Sequence, residues 1–315
     1  MGRTRHSRLR AVDGVLLLNK PAGLSSNQAL QRVKRLLKAR KAGHTGSLDP
    51  AATGMLPLCF GEATKVCSFL LDADKTYRVT ARLGSQTDTG DADGKVIDEA
   101  EVPALSEAAW RKVLEGFLGE SEQIPPMYSA LKVEGKRLYE LARKGETVER
   151  KPRRIRIDSI ELLESAGTRL VFRVGCSKGT YVRTLVEDIA SAVGTLAHTE
   201  RLHRERVGRF ETERMIDLEA AEALAEDDGD ALEQRLLPAD AALSGMPAVE
   251  LTAAQAEAFR HGQTIAAAST AASGLARVYG PGGFDEFLGV GEAAASGAVA
   301  PRRVFAGRPK KSPNS

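Results

Sequence analysis

The stretch from Gly43 to Leu56, GHTGSLDPAATGML, constrains the local backbone more than any other part of the chain. It holds three glycines and one proline within fourteen residues, a composition that bends a backbone and does not extend a regular element. Asp49 precedes Pro50, and a proline ring excludes the helical region for the residue before it. We therefore predict a loop that presents the Asp49 carboxylate, followed by a short helical turn that begins at Pro50.

An aspartate before a proline has a simple structural explanation, because Asp is a preferred N-cap of helices. What favours a functional role here is the neighbourhood of Asp49. His44 lies five residues earlier, glycines lie on both sides, and the flanking segments are basic. The Asp49 loop is therefore our first candidate for a reactive site.

The chain length of 315 residues favours two domains over one. The hydrophobic fraction of 42% and the charged fraction of 28% are typical of globular proteins. No stretch approaches the roughly 20 apolar residues that cross a bilayer, and residues 1–10 lack the apolar region of a signal peptide. We therefore expect no membrane association and a cytoplasmic location.

Charge is strongly segregated along the chain, although the net charge is only +3. Residues 1–41 hold eleven Lys or Arg and one acid, whereas residues 211–250 hold twelve Asp or Glu and two Arg. Residues 132–156 are basic again, with ten Lys or Arg against four Glu. Segregation of this degree predicts a polyanionic partner, with nucleic acid as the first candidate.

Cofactor and metal motifs are missing from the sequence. Cys59, Cys67 and Cys176 are widely spaced in apolar settings and are predicted to be reduced core thiols. His198 and His203 are five residues apart, which is wrong for two ligands on one helical face. The acidic stretch from Asp88 to Gly94 does not fit a calcium-binding loop and is predicted to be a turn. We therefore predict neither a metal nor a cofactor.

Hydrophobic periodicity predicts a mixed α and β chain. Residues 14–19 form a buried strand, a helix capped by Ser25, Ser26 or Asn27 runs to about Lys38, and Glu62 to Leu71 form a second helix. Residues 75–84 alternate as a half-buried strand. Further predictions are an extended segment at 123–130 that suits an edge strand, a strand at 170–174, a helix at 181–193, and a helix with three strands after residue 249.

Five segments of the chain resemble signature motifs of the TruB family of tRNA pseudouridine-55 synthases, and three of them carry Asp49, Tyr77 and Arg183. The first is the Gly43–Leu56 stretch itself, where Asp49 occupies the place of the catalytic aspartate. The second is Lys75-Thr76-Tyr77, in which the tyrosine stacks on the target base. The third is the segment SKGTYVRTL from Ser177 to Leu185, which includes Tyr181 and Arg183.

The resemblance implies roles for further residues. A lone arginine is most simply a surface cation, but under the resemblance Arg183 pairs with Asp49 and keeps that carboxylate ionised. His44 would fill the gap that the flipped base leaves in the RNA, and Leu202 would pack on that base. Lys20 lies in the strand, Lys-Pro turn and capped helix that resemble the family's first motif, and Leu202 lies in Arg201–Arg209, which resembles its Leu-Arg-Arg segment. Tyr181 and Lys20 complete the candidates for substrate or RNA binding.

The resemblance also implies a fold of the α+β class. It consists of a pseudouridine synthase catalytic domain, whose mainly antiparallel mixed sheet is flanked by helices, and a small β-rich PUA-like domain that binds RNA. We place the catalytic domain at residues 1–245, the C-terminal domain at 246–308, and a disordered basic tail at 309–315.

The function implied is isomerisation of uridine-55 in the tRNA T-loop to pseudouridine, by a monomer that needs no guide RNA. Two other hypotheses remain open at this point. One is a non-catalytic RNA chaperone or assembly factor with the same fold, and the other is a guide-dependent synthase that works within a protein–RNA complex.

Overall fold

The computed structural model describes residues 9–129, 131–133, 135–227, 230–266 and 273–306. The strands, numbered in chain order, are β1 Gly14–Lys20, β2 Ala42–His44, β3 Thr53–Phe60, β4 Lys75–Leu83, β5 Ser85–Thr87, β6 Val96–Glu99, β7 Gly119–Gln123, β8 Lys132–Val133, β9 Lys136–Arg137, β10 Arg153–Ala166, β11 Arg169–Cys176, β12 Ala197–Val207, β13 Ile216–Asp217, β14 Ala248–Glu250, β15 Ile265–Ala266, β16 Gly274–Tyr279, β17 Phe287–Ala293 and β18 Ala298–Val304.

The α-helices are mostly short. They are α1 Ser26–Leu36, α2 Cys67–Leu71, α3 Glu107–Glu115, α4 Leu138–Ala142, α5 Val182–Ser191, α6 Leu218–Asp227, α7 Ala231–Gln234 and α8 Ala253–Arg260. Segments of 3₁₀ helix lie at Gly61–Val66, Thr212–Arg214, Ala239–Leu243 and Gly283–Asp285.

The largest sheet in the described residues has nine strands and is mixed. Its order is β13-β1-β3-β12-β4-β11-β10-β7, and β2 pairs with β3 outside this path. The pairs β1–β13 and β3–β12 are parallel, and the other pairs are antiparallel. Helices flank this sheet, and a second β-rich unit follows it, so the predicted fold class is confirmed.

Strand β4 lies near the middle of this sheet and positions much of the site. Tyr77, Val79 and Ala81 are buried and belong to the core that also contains residues of α3 and α5, whereas Arg78 and Arg82 on the opposite face are exposed. This is the period-two alternation that the sequence predicts for a half-buried strand. Every side chain that β4 contributes to the core therefore lies on the face that carries α5.

Helix α1 begins after Ser25, the first of the three predicted caps, because Ser25 and Gln28 form a capping box. The side chain of Ser25 accepts a hydrogen bond from the Gln28 amide, and the Gln28 side chain accepts one from the Ser25 amide. This cap fixes the start of α1, where the Ser26 hydroxyl is hydrogen-bonded to Leu48 of the Asp49 loop.

The second β-rich unit is a five-stranded sheet of order β14-β16-β17-β18-β15, packed against α8. It joins the rest of the molecule through a small apolar cluster of Val66, Leu243, Val290 and Phe305. The Tyr279 hydroxyl donates a buried hydrogen bond of 2.7 Å to Asp240 of the connecting segment. The predicted tail at 309–315 lies outside the described residues.

Three local predictions are corrected by the structure. The turn at Pro50 is a single one, in which the Ala52 amide donates to the Asp49 carbonyl at 3.1 Å; no helix follows, and the chain enters β3, which pairs with β1 over seven residues. Only Cys67–Leu71 of the predicted second helix is α-helical, since Gly61–Val66 is 3₁₀. The edge strand is Gly119–Gln123 and ends before the two prolines, which lack the N–H groups that a ladder needs.

Candidate active site

The Asp49 loop is held to the start of α1 by three hydrogen bonds. The Leu48 amide donates to the Ser26 hydroxyl at 2.8 Å, and that hydroxyl donates to the Leu48 carbonyl at 3.0 Å. The Gly23 amide donates to the Pro50 carbonyl at 2.9 Å. Asp49 is thus bracketed on both sides by fixed backbone, as a precisely placed reactive group requires.

Lys20 is fully buried and is hydrogen-bonded to the backbone of this loop at Pro50. Its ammonium group donates to the carbonyls of Pro21 at 2.8 Å, Leu24 at 2.7 Å and Pro50 at 3.2 Å. Burial lowers the pKa of Lys20 to about 8; the Asp49 charge opposes that shift and the Arg204 charge adds to it. A buried ammonium with three carbonyl partners is suited to holding the loop, whereas the sequence placed Lys20 among the RNA-binding candidates.

Arg204 holds the loop from the side of β12, although the sequence analysis did not single it out. It is 1% exposed, and it donates to the Met55 carbonyl at 2.7 Å and to the Gly46 carbonyl at 2.9 Å. Gly54, at φ +101°, lies against the Arg204 backbone, where an added Cβ would come within 2.3 Å of the Arg204 carbonyl oxygen. Glycine is required at this position for both conformation and space.

Arg183 forms the ion pair that the resemblance implies. Its Nε lies 3.1 Å from Asp49 Oδ2, and the Arg183 side chain is 6% exposed against 45% for Asp49. The same guanidinium donates to the carbonyls of Thr89 at 2.6 Å and Tyr128 at 2.7 Å. These two carbonyls fix its orientation independently of Asp49.

Asp91 is a second carboxylate near the same guanidinium, at 3.8 Å from Arg183 NH1. Its Oδ1 accepts a hydrogen bond of 2.6 Å from the Thr89 hydroxyl. From the sequence, Asp91 is predicted only to be part of a turn. Three aspartates lie between residues 88 and 93 and could have suggested a functional carboxylate. Nothing in the local sequence, however, connects Asp91 with Arg183, which lies 92 positions later.

The charge of Asp49 depends on opposing influences. Burial raises the pKa of Asp49 above its ordinary value of 3.8, Arg183 opposes this shift, Asp91 adds to it, and Lys20 opposes it. The carboxylate therefore takes up a proton more readily than a free aspartate does, and Arg183 is the main group that limits this tendency.

A pocket of about 330 Å³ opens over Asp49, within the size range of small-molecule sites. Four of the candidates from the sequence line this pocket together with Asp49: Arg183, Tyr77, Tyr181 and Leu202. Tyr77 is 9% exposed, and burial raises its pKa. An aromatic wall beside a carboxylate suits a flat, polar ring.

Tyr181 immediately precedes α5 and is fixed by Gln123 at the end of β7. The Tyr181 amide donates to the Gln123 side-chain oxygen at 2.8 Å, and the Gln123 amide group donates to the Tyr181 carbonyl at 3.1 Å. This reciprocal clamp holds the end of β11 and the start of α5 over the pocket.

His44 ends β2 and is not among the residues that line the pocket. Burial lowers the pKa of His44, with the Arg204 charge as a second cause, so its ring is neutral near pH 7. Its Nδ1 is buried and has no hydrogen-bond partner among the described residues. The structure thus separates His44 from the group of candidates around Asp49.

Two further properties concern metal ions and membranes. Within the described ranges, no three His, Cys, Asp or Glu side chains are grouped so that they could hold a metal ion. In the same part of the chain, no helix is both long enough and apolar enough to span a membrane.

Comparison with known families covers nearly the whole chain. Residues 34–182 match the TruB family pseudouridylate synthase N-terminal domain. Residues 183–244 match the tRNA pseudouridylate synthase B C-terminal domain, and residues 247–305 match the C-terminal domain of pseudouridine synthase II TruB. The chain belongs to the TruB family.

Curated TruB relatives are similar over almost their full length. A tRNA pseudouridine synthase B from Burkholderia mallei is 53% identical over 301 residues, which cover 94% of this chain and 97% of the relative. One from Chromohalobacter salexigens is 51% identical over 303 residues, with 96% and 97% covered. One from Nitrosococcus oceani is 50% identical over 305 residues, with 97% and 98% covered. This TruB chain is therefore a pseudouridine synthase, an isomerase.

Solved structures agree with this TruB assignment. A crystal structure of a Cbf5-Nop10-Gar1 complex contains a chain with a TM-score of 0.73 and 28% identity, over 95% of this chain and 86% of that one. An H/ACA RNP bound to a substrate RNA containing 2′-deoxyuridine gives a TM-score of 0.71 and 26% identity, over 93% and 85%.

Proposed function

We propose that this protein isomerises uridine-55 in the T-loop of tRNA to pseudouridine, with Asp49 as the catalytic group. The observation that carries the proposal is the ion pair between Asp49 and the buried Arg183 in a pocket lined by Tyr77. The pocket offers an oriented carboxylate beside an aromatic face. These are the two features that a reaction on a base flipped out of the RNA stack requires.

The reaction breaks the N1–C1′ bond of uridine, turns the base, and joins C5 to C1′; C5 loses its proton and N1 gains one, so the composition is unchanged. It transfers no group to another molecule and changes no oxidation state. Asp49 has three possible points of action: attack at C1′, attack at C6, or removal of a proton from C2′. Each of the three requires an ionised carboxylate, which Arg183 favours.

The target base must leave the RNA stack before Asp49 can reach it, at a cost of a few kcal/mol. Stacking on an aromatic side chain returns about 1–3 kcal/mol per base. Tyr77 is suited to this role because it lies in the pocket wall beside Asp49. We assign Leu202 to the other side of the base, since it lines the same pocket.

The remaining candidates are assigned by position. Tyr181 closes the pocket on the side of α5 and contacts the nucleotide there. Lys20 acts on Asp49 through the Pro50 carbonyl and serves as a positioning residue. His44, on β2, is proposed to take the place of the extruded base in the RNA.

The partner is the T-arm of tRNA, bound by a monomer in the cytoplasm without a guide RNA. Its phosphates are held by the basic face of α1 and by the basic residues of 132–156, so affinity falls as salt rises. We retain the division into a catalytic domain at 1–245 and a PUA-like domain at 246–308, and we propose that the latter contacts RNA outside the T-loop.

The test uses an unmodified tRNA transcript and a T-arm hairpin, each incubated with purified protein and mapped for pseudouridine. We expect conversion at uridine-55 in both RNAs. Asp49→Asn should lower the rate by at least about 10³-fold while tRNA binding persists. Wild-type protein that leaves both RNAs unmodified would contradict the proposal, and modification only in the presence of added guide RNA would favour a guide-dependent enzyme.

A further inference from the structure

Two exposed ion pairs cross the mouth of the Asp49 pocket. One wall of the mouth is the turn between α2 and β4, where Leu71 and Lys75 line the pocket. The other wall is the loop between β11 and α5, where Ser177 and Gly179 line it. One ion pair joins these two walls, and a second joins the first wall to β10 beside the other wall; we call them the rim pairs.

The first rim pair joins Lys178 Nζ to Asp72 Oδ1 at 2.8 Å, with side chains 60% and 66% exposed. The second joins Arg156 NH2 to Asp74 Oδ2 at 3.5 Å, and Arg156 also pairs with Asp158 at 2.6 Å. Both acids come from the α2–β4 turn, whereas Lys178 belongs to the β11–α5 loop and Arg156 lies on β10, where its backbone is hydrogen-bonded to Ser177 of that loop. The two pairs therefore act across the same opening.

The backbone on each side of the mouth is fixed, whereas the rim side chains lie in solvent. The Arg156 amide donates to the Ser177 hydroxyl at 2.9 Å, and the Ser177 amide donates to the Arg156 carbonyl at 2.8 Å. On the opposite wall, Lys75 Nζ donates to the carbonyls of Leu71 at 2.8 Å and Ala73 at 2.5 Å. Only the side chains of the rim pairs need to move for the mouth to change.

A nucleotide whose base enters this pocket leaves its flanking phosphates at the mouth, because the backbone joins it to its neighbours. Those phosphates need cations, and Lys178 and Arg156 are the cations of the rim pairs. Exposed pairs are weak and screened, so a phosphate can replace a carboxylate as the partner of each cation. An RNA phosphodiester thus competes directly with Asp72 and Asp74.

We propose that the pocket mouth is a phosphodiester-binding site that the protein masks with its own carboxylates. Lys178 and Arg156 bind the phosphates that flank the extruded uridine, and Asp72 and Asp74 occupy those cations until RNA arrives. The proposal rests on the proposed function, since it concerns the same pocket and the same RNA. Its distinctive consequence is that the affinity gained by removing an acid depends on the presence of the cation that this acid occupies.

The experiment measures binding of a T-arm hairpin over a salt series for Asp72→Asn, Lys178→Gln and the double variant. The matched control is Glu107→Gln, which removes the same charge from an ion pair of similar exposure (Arg111–Glu107, 3.0 Å) on α3, a helix that contributes no residue to the pocket lining. We expect Asp72→Asn to bind about two- to fivefold tighter and Lys178→Gln to bind weaker by a similar factor. The salt slope of Lys178→Gln should fall by about 0.7, the value for one phosphate of single-stranded RNA.

The double variant tests the masking itself. With Lys178 absent, Asp72 has no cation to occupy, so the gain from Asp72→Asn should shrink to that of Glu107→Gln. Binding by Asp72→Asn that is equal to or weaker than that of the Glu107→Gln control would overturn the proposal. So would an undiminished gain in the double variant, which would indicate simple repulsion between Asp72 and RNA.

Failure of this inference is distinguishable from failure of the proposed function. Wild-type protein that converts uridine-55 while the rim variants bind like the control refutes only the masked site. Wild-type protein that neither binds nor modifies the hairpin refutes the function. Thermal unfolding of each variant confirms that the binding data come from folded protein.

Discussion

The floor and the mouth of one pocket contain the same chemical interaction in two different settings. At the floor, Arg183 pairs with Asp49 at 3.1 Å and is 6% exposed. At the mouth, Lys178 pairs with Asp72 at 2.8 Å, and both side chains are more than half exposed. The shorter pair is thus the more exposed one, so distance alone does not rank the two.

Burial decides what each pair can do. A guanidinium out of water interacts strongly with the carboxylate beside it and is costly to leave unpaired, so Arg183 controls the charge of Asp49. The mouth pair is screened by solvent and contributes little to stability, so its partners are free to exchange. The floor is therefore suited to chemistry and the mouth to binding.

The largest expected effect follows from removing the floor cation. Arg183→Gln should lower the rate of pseudouridine formation about 10²- to 10³-fold, because a preorganised charge beside the reacting group is lost. It should also lower the free energy of unfolding by about 1–3 kcal/mol. This is less than the cost of about 3–5 kcal/mol for breaking a fully buried pair, because the Asp49 side chain is partly exposed to water. Single-turnover assays and urea unfolding measure the two quantities.

Arg111→Gln is the control for that variant, since it removes an exposed arginine from an ion pair on α3. Its rate and stability should stay close to those of the wild type. If Arg183→Gln behaved like Arg111→Gln, burial would not separate the floor from the surface, and the comparison would fail.

The next effect concerns the aromatic wall of the floor. Tyr77→Leu should slow the reaction about 10- to 100-fold, because loss of base stacking costs about 1–3 kcal/mol. Tyr77→Phe keeps the stacking face and should lose less than about fivefold. Single-turnover rates on the T-arm hairpin distinguish the two variants, and equal losses would assign the role to the hydroxyl instead of the ring.

A smaller effect tests the second carboxylate of the floor. Asp91 adds to the raised pKa of Asp49 and Arg183 opposes it. Asp91→Asn should therefore shift the acid limb of the rate profile to lower pH, whereas Arg183→Gln should shift it to higher pH. We expect the plateau rate of Asp91→Asn to fall by about tenfold or less, since the carbonyls of Thr89 and Tyr128 still orient Arg183. Shifts in the same direction for both variants would contradict this account.

How much of the floor the sequence could predict depends on the range of each interaction. Asp49, Tyr77 and Arg183 stand in short motifs, and their local elements follow from glycines, alternation and a helix start. Arg204 and Asp91 were not predicted, because their partners lie 158 and 92 positions away in the chain, as with the bond from Arg204 to Gly46. Such contacts are created only when β3, β4 and β12 assemble into one sheet.

The fold shows the same limit. The sequence identified β1, β4, α1 and α8 from periodicity and caps, but it predicted a helical turn where β3 begins. Pro50 favours a helix start locally, whereas pairing of β3 with β1 on one side and β12 on the other decides the outcome. Tertiary pairing overrides local preference wherever a strand is central.

The smallest expected effect is on stability at the mouth. Asp72→Asn and Lys178→Gln should each change the free energy of unfolding by less than about 1 kcal/mol, because both side chains are exposed and already hydrated. Urea unfolding at low and high salt measures this change, with Glu107→Gln as the reference for an unrelated exposed pair. A cost at the mouth as large as that of Arg183→Gln would show that the mouth pair is a structural bond. It would then not be free to exchange its carboxylate for a phosphate, and the contrast with the floor would disappear.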